Sequence, residues 1–237
     1  MVIVSLTSFG ERLQKEASVA IQSILNNTVL PDKICLIINS GDTVPKEIEE
    51  ISLVEIIESV LDIKGHNKYY HTIQKYTNDV IILIDDDHYY PHTFIDSCIK
   101  AYRQNPNMIH ACRTHKILRM NNRMLPYKMW KWDVPYHEPS FDLFFTGCGG
   151  VVLFPGAITK EDVCLDEIYK YLTVDDILLN TICRRKRILI NKINTYHKAK
   201  ELHIVNNKVC LSRDNLKGIN DKALYQIGFE SLLNKIT

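Results

Sequence analysis

Three adjacent carboxylates, Asp85, Asp86 and Asp87, directly follow the apolar run from Val80 to Ile84. Such a run of mostly β-branched residues predicts a strand buried on both faces, as in a parallel sheet covered by helices. Ligands of open α/β folds bind at the carboxyl ends of such strands. Because neighbouring carboxylates repel one another, we expect a divalent cation with oxygen ligands, Mg²⁺ or Mn²⁺ bridging to a diphosphate, rather than a solvated acidic turn.

Three more groups of polar or small residues are predicted to reach the same edge of the sheet. Thr7 and Ser8 belong to the exit loop of a predicted first strand. The glycines of Gly147-Cys148-Gly149-Gly150 allow the backbone to approach a ligand closely, because they lack a Cβ atom. Asp175 and Asp176 start a predicted helix.

The pair Asp175-Asp176 also has a purely structural explanation. Thr173 and Asp176 have the spacing of a capping box, and acids in a first helical turn stabilise the helix dipole without any further role. A general base at this position needs partial burial to raise its pKa, whereas the helix start favours the charged form. The sequence does not decide between these two effects.

The elements that must position these groups alternate between strands and helices. Apolar runs predict strands at residues 2–7, 34–39, 53–57 and 80–84, with helices at 3.6-residue spacing between them and after Pro91. This alternation is typical of an α/β fold with a doubly wound, mostly parallel sheet flanked by helices. Further strands are predicted at residues 108–113, 151–154 and 187–190, an irregular excursion at 114–140, and an irregular C-terminal arm after residue 196.

Composition and charge limit the functional class. The chain has 237 residues, of which 46% are hydrophobic and 24% charged, with a net charge of +1. Basic tracts without acids run from Ser97 to Trp132 and from Ile177 to Lys200. They suit an anionic small substrate or a membrane-surface acceptor, although solvated faces explain each tract equally well. No nucleic-acid-binding module is recognisable, so no nucleic-acid partner is expected.

Cysteine usage and hydropathy indicate a reducing compartment. The seven cysteines form no CxxC pair, and most lie in apolar runs, which favours buried free thiols. There is no recognisable signal peptide and no apolar run of membrane-spanning length. We therefore expect a cytoplasmic protein, whose contact with a membrane would be peripheral, on its inner face.

In their order along the chain, these motifs resemble those of nucleotide-sugar-dependent glycosyltransferases with the GT-A fold, especially family 2 and its bacterial surface-polysaccharide relatives. The resemblance is carried by Val4-Ser5-Leu6-Thr7-Ser8, Asp85-Asp86-Asp87 with Tyr90-Pro91, Phe145 to Gly150, and Val174-Asp175-Asp176. It implies a Rossmann-like GT-A domain over residues 1–195, with a donor-binding half at 1–115 and an acceptor half at 116–195. Residues 196–237 would form a C-terminal arm or helical cap of the same domain.

The resemblance also implies roles for individual residues. Asp85 and Asp87 match the outer acids of the family's Asp-x-Asp motif, which lie at the Mn²⁺ or Mg²⁺ ion and the ribose. Asp176 matches the general base of inverting members, and Asp175 stands where the family has Glu. The residues expected to bind the nucleotide sugar are Thr7, Ser8, Asp42, Lys68, Asp85, Asp86, Gly149 and Gly150. His197 matches a late histidine that completes the metal site in some relatives, although an exposed or hydrogen-bonded histidine is the simpler explanation for it, as for His88 and His203.

The implied activity is the metal-dependent, inverting transfer of one sugar from a nucleotide-diphosphate sugar, expected to be a UDP-sugar, to a hydroxyl of a glycan or lipid-linked glycan. The Gln-x-x-Arg-Trp motif of processive synthases is absent, which favours a single transfer. The alternatives are a nucleotidyltransferase, which usually carries a glycine-rich basic loop after its first strand, and a non-catalytic sugar-binding protein. Trp130 and Trp132 are either an aromatic platform for an acceptor sugar or side chains packed beneath a long loop.

Overall fold

The computed structural model describes residues 1–194, 198–202 and 218–236. The strands in these residues are β1 (Val2–Thr7), β2 (Lys33–Asn39), β3 (Val54–Ser59), β4 (Val80–Leu83), β5 (His88–Tyr89), β6 (Ile109–Ala111), β7 (Thr114–Lys116), β8 (Arg119–Met120), β9 (Arg123–Met124), β10 (Leu143–Phe145), β11 (Val151–Leu153), β12 (Ile190–Lys192) and β13 (Lys200–Glu201). The helices are α1 (Gly10–Gln14), α2 (Glu16–Leu25), α3 (Lys46–Glu49), α4 (Asn67–Tyr76), α5 (Phe94–Gln104), α6 (Leu165–Lys170), α7 (Asp175–Arg185), α8 (Asn220–Gln226) and α9 (Phe229–Ile236).

Seven of these strands form one central sheet in the order β12-β6-β11-β4-β1-β2-β3. Strands β1, β2, β3 and β4 are parallel to their neighbours within this group, and β6 is parallel to β12. The mostly parallel α/β sheet flanked by helices that the sequence predicts is therefore confirmed.

Strand β4 separates two hydrophobic cores. Ile81 and Leu83 belong to the core on one face of the sheet, whereas Val80, Ile82 and Ile84 belong to the core on the other. Helices α4 and α7 cover the first face, and α2 and α5 cover the second. Because side chains alternate along a strand, a strand buried in this way must be apolar at every position, as the sequence run is.

Strand β11 runs against the parallel strands. It pairs antiparallel with both β4 and β6, and Val151 lies opposite Leu83. The chain enters β11 from the tight turn at residues 147–149, which lies at the carboxyl end of β4. Because the chain re-enters the sheet at the end where β4 finishes, β11 starts beside Leu83 and runs in the opposite direction to β4.

The predicted excursion at residues 114–140 is partly ordered. Strand β7 pairs antiparallel with β10, and β8 pairs with β9 in a short hairpin. Trp130 and Tyr127 from this region pack with Phe144 of β10 and with Phe229 of α9 in a third apolar cluster. The described C-terminal helices therefore close the side of the domain on which Asp175 and Asp176 begin α7.

Candidate active site

A cavity of about 730 Å³ lies at the carboxyl ends of β1 and β4. Its wall is formed by the strand ends, the turn at residues 147–149 and the first turn of α7. Among the predicted site residues, those that line it are Thr7, Lys68, Asp85, Asp86, Asp87, Gly149, Asp175 and Asp176. One cavity therefore brings together four groups that lie far apart in the sequence: the loop at Thr7, the acids at 85–87, the glycine turn and the acids at 175–176.

Lys68 joins two of these groups through its ammonium group. It lies in the first turn of α4, its side chain is 5% exposed, and its Nζ is 2.7 Å from Asp85 Oδ1 and 2.9 Å from Asp175 Oδ2. Burial alone would lower the pKa of Lys68, but the surrounding carboxylates, Asp175 first, raise it well above its ordinary value. Lys68 is therefore a fixed cation that links the end of β4 to the start of α7.

Asp86 and Asp87 are held by Arg12. Its guanidinium lies 2.9 Å from Asp86 Oδ1 and also contacts Asp87. Asp86 is buried, and its Oδ2 accepts a 2.6 Å hydrogen bond from Ser8 Oγ. Burial raises the pKa of Asp86 to about 7, although Arg12 and Ser8 oppose this shift.

Asp87 also pairs with His88, whose Nδ1 is 2.7 Å from Asp87 Oδ1. Burial alone would raise the pKa of Asp87, but the hydrogen bond from His88 and the charge of Arg12 lower it. Burial likewise disfavours the charged imidazole, yet the Asp87 carboxylate raises the pKa of His88 to about 10. An imidazolium, a guanidinium and an ammonium thus balance three consecutive carboxylates, and a metal ion bound by the His88 ring would take the place of a ring proton.

Asp85, Asp87 and His88 form a donor set that fits a divalent cation. One potential ligand atom from each lies within 4.8 Å of the others. Asp85 uses Oδ1 for its contact with Lys68, which leaves its second oxygen for a metal. Two carboxylate oxygens and one imidazole nitrogen suit Mn²⁺ and other first-row cations, whereas an all-oxygen set suits Mg²⁺.

Asp176 is placed for a different task. It is half-buried in the first turn of α7, and its Oδ1 accepts a 2.9 Å hydrogen bond from the backbone N–H of Gly147. Burial and the charge of Asp175 raise the pKa of Asp176 to about 7. Asp175 shows the opposite shift, because the Lys68 ammonium outweighs burial and lowers its pKa. The pKa values of the two adjacent acids are therefore shifted in opposite directions. A general base and an anionic neighbour require such an environment.

The capping box predicted for this pair is not realised in the fold, although both acids do lie in the first turn of α7. The residue that caps α7 is Val174, and no side chain caps the helix. The Thr173-x-x-Asp176 spacing thus does not produce a capping box, and the Asp176 carboxylate is directed to the glycine turn instead.

Two glycines make room for this cluster. A Cβ atom on Gly147 would lie 2.8 Å from Lys68 Nζ and 3.2 Å from Asp176 Oδ1, and one on Gly65 would lie 2.9 Å from Asp175 Oδ2. Such distances are shorter than van der Waals contact, so both positions need a residue without a side chain.

Other predicted residues have positions of their own. Thr7 lines the cavity and donates its hydroxyl hydrogen to the carbonyl of Ile37. Ser8 is buried beneath Asp86 and, like Asp42 and Gly150, is not among the residues that line the cavity. Gly150 has φ +96°, and a Cβ there would lie 2.5 Å from the Phe94 ring, so its packing partner is an aromatic side chain. His197, the predicted late metal ligand, lies outside the described residues.

Several residues of the cavity were given no binding role from the sequence, among them Arg12, Arg113 and Cys148. The Arg113 guanidinium donates a 2.9 Å hydrogen bond to Thr146 Oγ1 and lies 3.3 Å from Cys148 Sγ. Arg12 lies in α1 and was detectable as the first basic residue after β1, but its partners are more than seventy residues away along the chain. His88, which the sequence indicates as a hydrogen-bonded histidine, is both hydrogen-bonded and part of the metal donor set.

The model of the family described as Glycosyl transferase family 2 matches residues 4–155, more than half of the chain. The chain belongs to glycosyl transferase family 2. The resemblance predicted from the motifs is therefore confirmed, and the match runs from β1 through β11. It includes Asp85-Asp86-Asp87 and the glycine turn but ends before Asp175 and Asp176.

Solved structures share the fold of this family 2 chain. The crystal structure of S. aureus TarS 1–349 in complex with UDP has a TM-score of 0.60 at 10% identity, over 97% of this chain and 64% of that one. The chain thus spans just under two thirds of the TarS structure. A CMP:2-keto-3-deoxy-manno-octonic acid synthetase complexed with CTP has a TM-score of 0.52 at 10% identity, over 93% of this chain and 99% of that one. At such identities the likeness concerns the fold alone.

Among curated protein sequences, none matches this family 2 chain significantly. Every helix in the described part of the chain is too short or too polar to span a lipid bilayer.

Proposed function

We propose that this protein transfers one sugar from a nucleotide-diphosphate sugar to a hydroxyl group of a glycan or lipid-linked glycan, with inversion at the anomeric carbon. The observation that carries the proposal is the joint position of two carboxylates at the glycine turn. Asp176 Oδ1 and Asp85 Oδ1 lie 3.2 and 3.5 Å from the point where a Gly147 side chain would begin. A general base and the metal-binding strand end therefore face one cavity.

Each residue group has a defined task in this proposal. Asp85, Asp87 and His88 would hold the divalent cation, which when bound offsets the negative charge on the departing diphosphate. Arg113 lines the same cavity and makes no ion pair with a carboxylate in the described part of the chain, so its guanidinium is available to a phosphate oxygen. Lys68 keeps Asp85 and Asp175 in place, and its charge lowers the pKa of Asp175.

Asp176 would act on the acceptor. Its carboxylate takes the proton of the acceptor hydroxyl while the hydroxyl oxygen forms a bond to the anomeric carbon. The bond from that carbon to the diphosphate oxygen breaks at the same time, and its electron pair leaves with the nucleoside diphosphate. A pKa of about 7 matches this role, because a base near the working pH combines a populated carboxylate with useful proton affinity.

A UDP-sugar is the proposed donor. Membership of family 2 supports a nucleotide-sugar transferase, and the TarS structure with the same fold was crystallised with UDP. We further propose that the acceptor lies at a membrane surface, which the two basic tracts of the sequence would favour, and that contact with the membrane is peripheral.

The test is donor binding and turnover measured separately. UDP-, GDP-, CMP- and dTDP-sugars are screened by thermal shift with Mn²⁺ and with EDTA, and release of the nucleoside diphosphate is followed with a glycan acceptor mixture. We expect a shift with UDP-sugars that EDTA removes, because a ligand that binds the native state raises the melting temperature. Asp176→Asn should keep this shift and lose turnover. Asp166→Asn, which removes an exposed acid from the first turn of α6, should keep both.

Two results would overturn the proposal. Release of pyrophosphate from CTP or UTP in the presence of a free sugar would assign a nucleotidyltransferase. Donor binding without any loss of sugar from the donor, in the presence of glycan acceptors or water, would assign a sugar-binding protein on this fold.

A further inference from the structure

The wall of the cavity next to α7 carries three stacked or edge-packed aromatic rings. The His115 imidazole stacks on the Trp132 indole, with ring centroids 4.8 Å apart at 28°, and Tyr127 packs edge-on against both. All three residues line the cavity, and the Trp132 side chain is 41% exposed. This wall is distinct from the metal donor set at the end of β4.

His115 presents a buried hydrogen-bond donor without a partner. The residue is 1% exposed, and its Nδ1 accepts a 3.0 Å hydrogen bond from the backbone N–H of Asp133. Burial and the Arg113 charge lower the pKa of His115 to about 4, so the ring is neutral and its proton is on Nε2. Among the described residues, Nε2 has no hydrogen-bond partner.

Asn220 presents a buried acceptor in the same cavity. It is the first residue of α8 and is 6% exposed, and its side-chain amide lies beside the Tyr127 hydroxyl. Its Oδ1 is without a hydrogen-bond partner in the part of the chain that the structure describes. Buried polar groups of native proteins almost always have a hydrogen-bond partner, so a donor and an acceptor left open on one cavity wall indicate that a ligand completes them.

The combination defines the chemistry of that ligand. An open N–H donor and an open carbonyl acceptor match hydroxyl groups, which both accept and donate. The exposed part of the Trp132 ring offers an apolar surface beside them. A hydroxylated ring with an apolar face, such as a pyranose, satisfies all three requirements, whereas a phosphate has no hydrogen to give to Asn220 Oδ1.

We propose that His115, Trp132 and Asn220 form the subsite that binds the sugar ring of the acceptor. This inference rests on the proposed function and names the part of the acceptor that the enzyme recognises. The acceptor is favoured over the transferred sugar because Tyr127, beside Asn220, packs in one apolar cluster with Val174 and Ile177, the residues that flank Asp175 and Asp176. The subsite is thus on the side of the general base. It also lies partly outside the residues matched by the family model, because Asn220 belongs to α8.

The test uses simple sugars as probes. Methyl glycosides of glucose, galactose and N-acetylglucosamine are titrated into the full-length protein with Mn²⁺ and UDP, and binding is followed by saturation-transfer difference NMR. We expect at least one glycoside to bind in the millimolar range. Asn220→Leu and His115→Phe should each weaken it by about tenfold, because each removes one hydrogen-bonding partner of the sugar. Trp132→Ala should also weaken glycoside binding. Because Trp132 is partly exposed, this variant tests the subsite even if a variant of a buried residue does not fold.

Matched controls separate this subsite from general damage. Tyr225→Ala changes an 87% exposed aromatic on the same helix as Asn220, and Tyr136→Ala changes a 61% exposed aromatic near Trp132. Both should bind the glycoside as the wild type does, and UDP affinity should be unchanged in all five variants.

The outcomes distinguish the two proposals. Glycoside affinity that is equal in wild type and in the three subsite variants overturns the inference, as does failure of every glycoside to bind a protein that binds UDP. Loss of UDP affinity together with glycoside affinity would assign these residues to the nucleotide-binding part of the site and would also overturn the inference. A wild-type protein that binds the glycoside but no nucleotide would instead contradict the proposed function and leave the sugar subsite standing.

Discussion

The Lys68 ammonium lies 2.9 Å from the Asp175 carboxylate and thereby joins the first turn of α4 to the first turn of α7. The same nitrogen is 2.7 Å from Asp85. One ammonium group therefore connects the carboxyl end of β4 to the helix that carries Asp176. Lys68 thus fixes the positions of Asp85 and Asp175 relative to each other.

Replacing Lys68 by Met should destabilise the protein. The substitution leaves two partly buried carboxylates facing each other without a cation, which we expect to cost about 2–4 kcal/mol in the free energy of unfolding. Urea denaturation at neutral pH measures the effect. Lys64→Met is the matched control, because Lys64 pairs with the 71% exposed Asp62 and should change the stability by less than about 0.5 kcal/mol. Equal stabilities of the two variants would contradict a structural role for the Lys68 bridge.

Activity should depend on the ionisation of Asp176. Because its pKa is raised to about 7, the carboxylate becomes protonated as the pH falls through 7, and kcat/KM should decline on that side. Asp176→Asn should lower kcat by about 10²–10⁴-fold and remove this acid limb from the residual activity. The pH profile of nucleoside diphosphate release measures both. A variant that keeps the wild-type profile would show that the limb belongs to another group.

The free energy of unfolding should also depend on the ionisation of Asp176, but it should fall as the pH rises through 7, where activity increases. A carboxyl group whose pKa is higher in the folded than in the unfolded state favours folding fully below the unfolded pKa, and this contribution is lost as the pH rises through the folded value. Asp176→Asn, which mimics the protonated form, should therefore stabilise the protein relative to wild type near pH 8 and have little effect near pH 4. Urea unfolding at the two pH values checks this prediction, and a stabilisation of equal size at both would contradict it.

Gly147→Ala should reduce activity without unfolding the protein. The added methyl group would lie 2.8 Å from Lys68 Nζ and 3.2 Å from Asp176 Oδ1, so one or both side chains must move. A displacement of this kind at reacting groups costs about 10²-fold in rate. Initial rates together with the melting temperature distinguish the two effects. Gly150→Ala is the informative contrast, because its Cβ would strike the Phe94 ring and lower stability before activity.

The central strand and its acids could be predicted because their signals are local. A continuous apolar run followed by carboxylates fixes both the strand and the sheet edge at which Asp85 and Asp87 lie. The order of the motifs added the expected neighbourhood of Asp176. These inferences need only residues that are close in sequence, or a pattern that the whole fold shares.

The remaining features depend on contacts between distant segments. The pairing of Arg12 with Asp86 and Asp87, and of Lys68 with Asp175, brings together residues that no periodicity relates. The reversed direction of β11 follows from the sheet edge at which the chain enters it, not from its own apolar residues. The two tryptophans lie in different surroundings: Trp130 is packed at 3% exposure, whereas Trp132 lines the cavity, where a role as a platform for the acceptor sugar stays a prediction.

His88 should contribute to metal binding. Its ring nitrogen belongs to the donor set with Asp85 and Asp87, so His88→Ala should weaken Mn²⁺ binding by about tenfold or more. Electron paramagnetic resonance of free Mn²⁺ during titration measures this without any turnover. The control is His71→Ala, since His71 hydrogen-bonds Ser59 and does not line the cavity. Unchanged Mn²⁺ affinity in His88→Ala would leave the Asp87 contact as the only role of this imidazole.

Arg184 of α7 should be a main determinant of stability in the second half of the chain. Its 1% exposed guanidinium donates hydrogen bonds of 2.8 and 2.6 Å to the carbonyls of Phe141 and Leu143, and lies 4.5 Å from the Phe229 ring centroid. It thereby ties α7 to β10 and to α9.

Arg184→Met keeps much of the volume but removes these donors, leaving buried carbonyl groups without partners. We expect a loss of about 3–5 kcal/mol in the free energy of unfolding. Arg185→Met removes a charge from the next residue, whose 40% exposed side chain pairs with Glu167, and should cost less than about 1 kcal/mol. Because α7 starts with Asp176 and β10 leads into Gly147, any folded Arg184→Met protein should also turn over more slowly. A variant of wild-type stability would show that the three elements are held together by their apolar contacts alone.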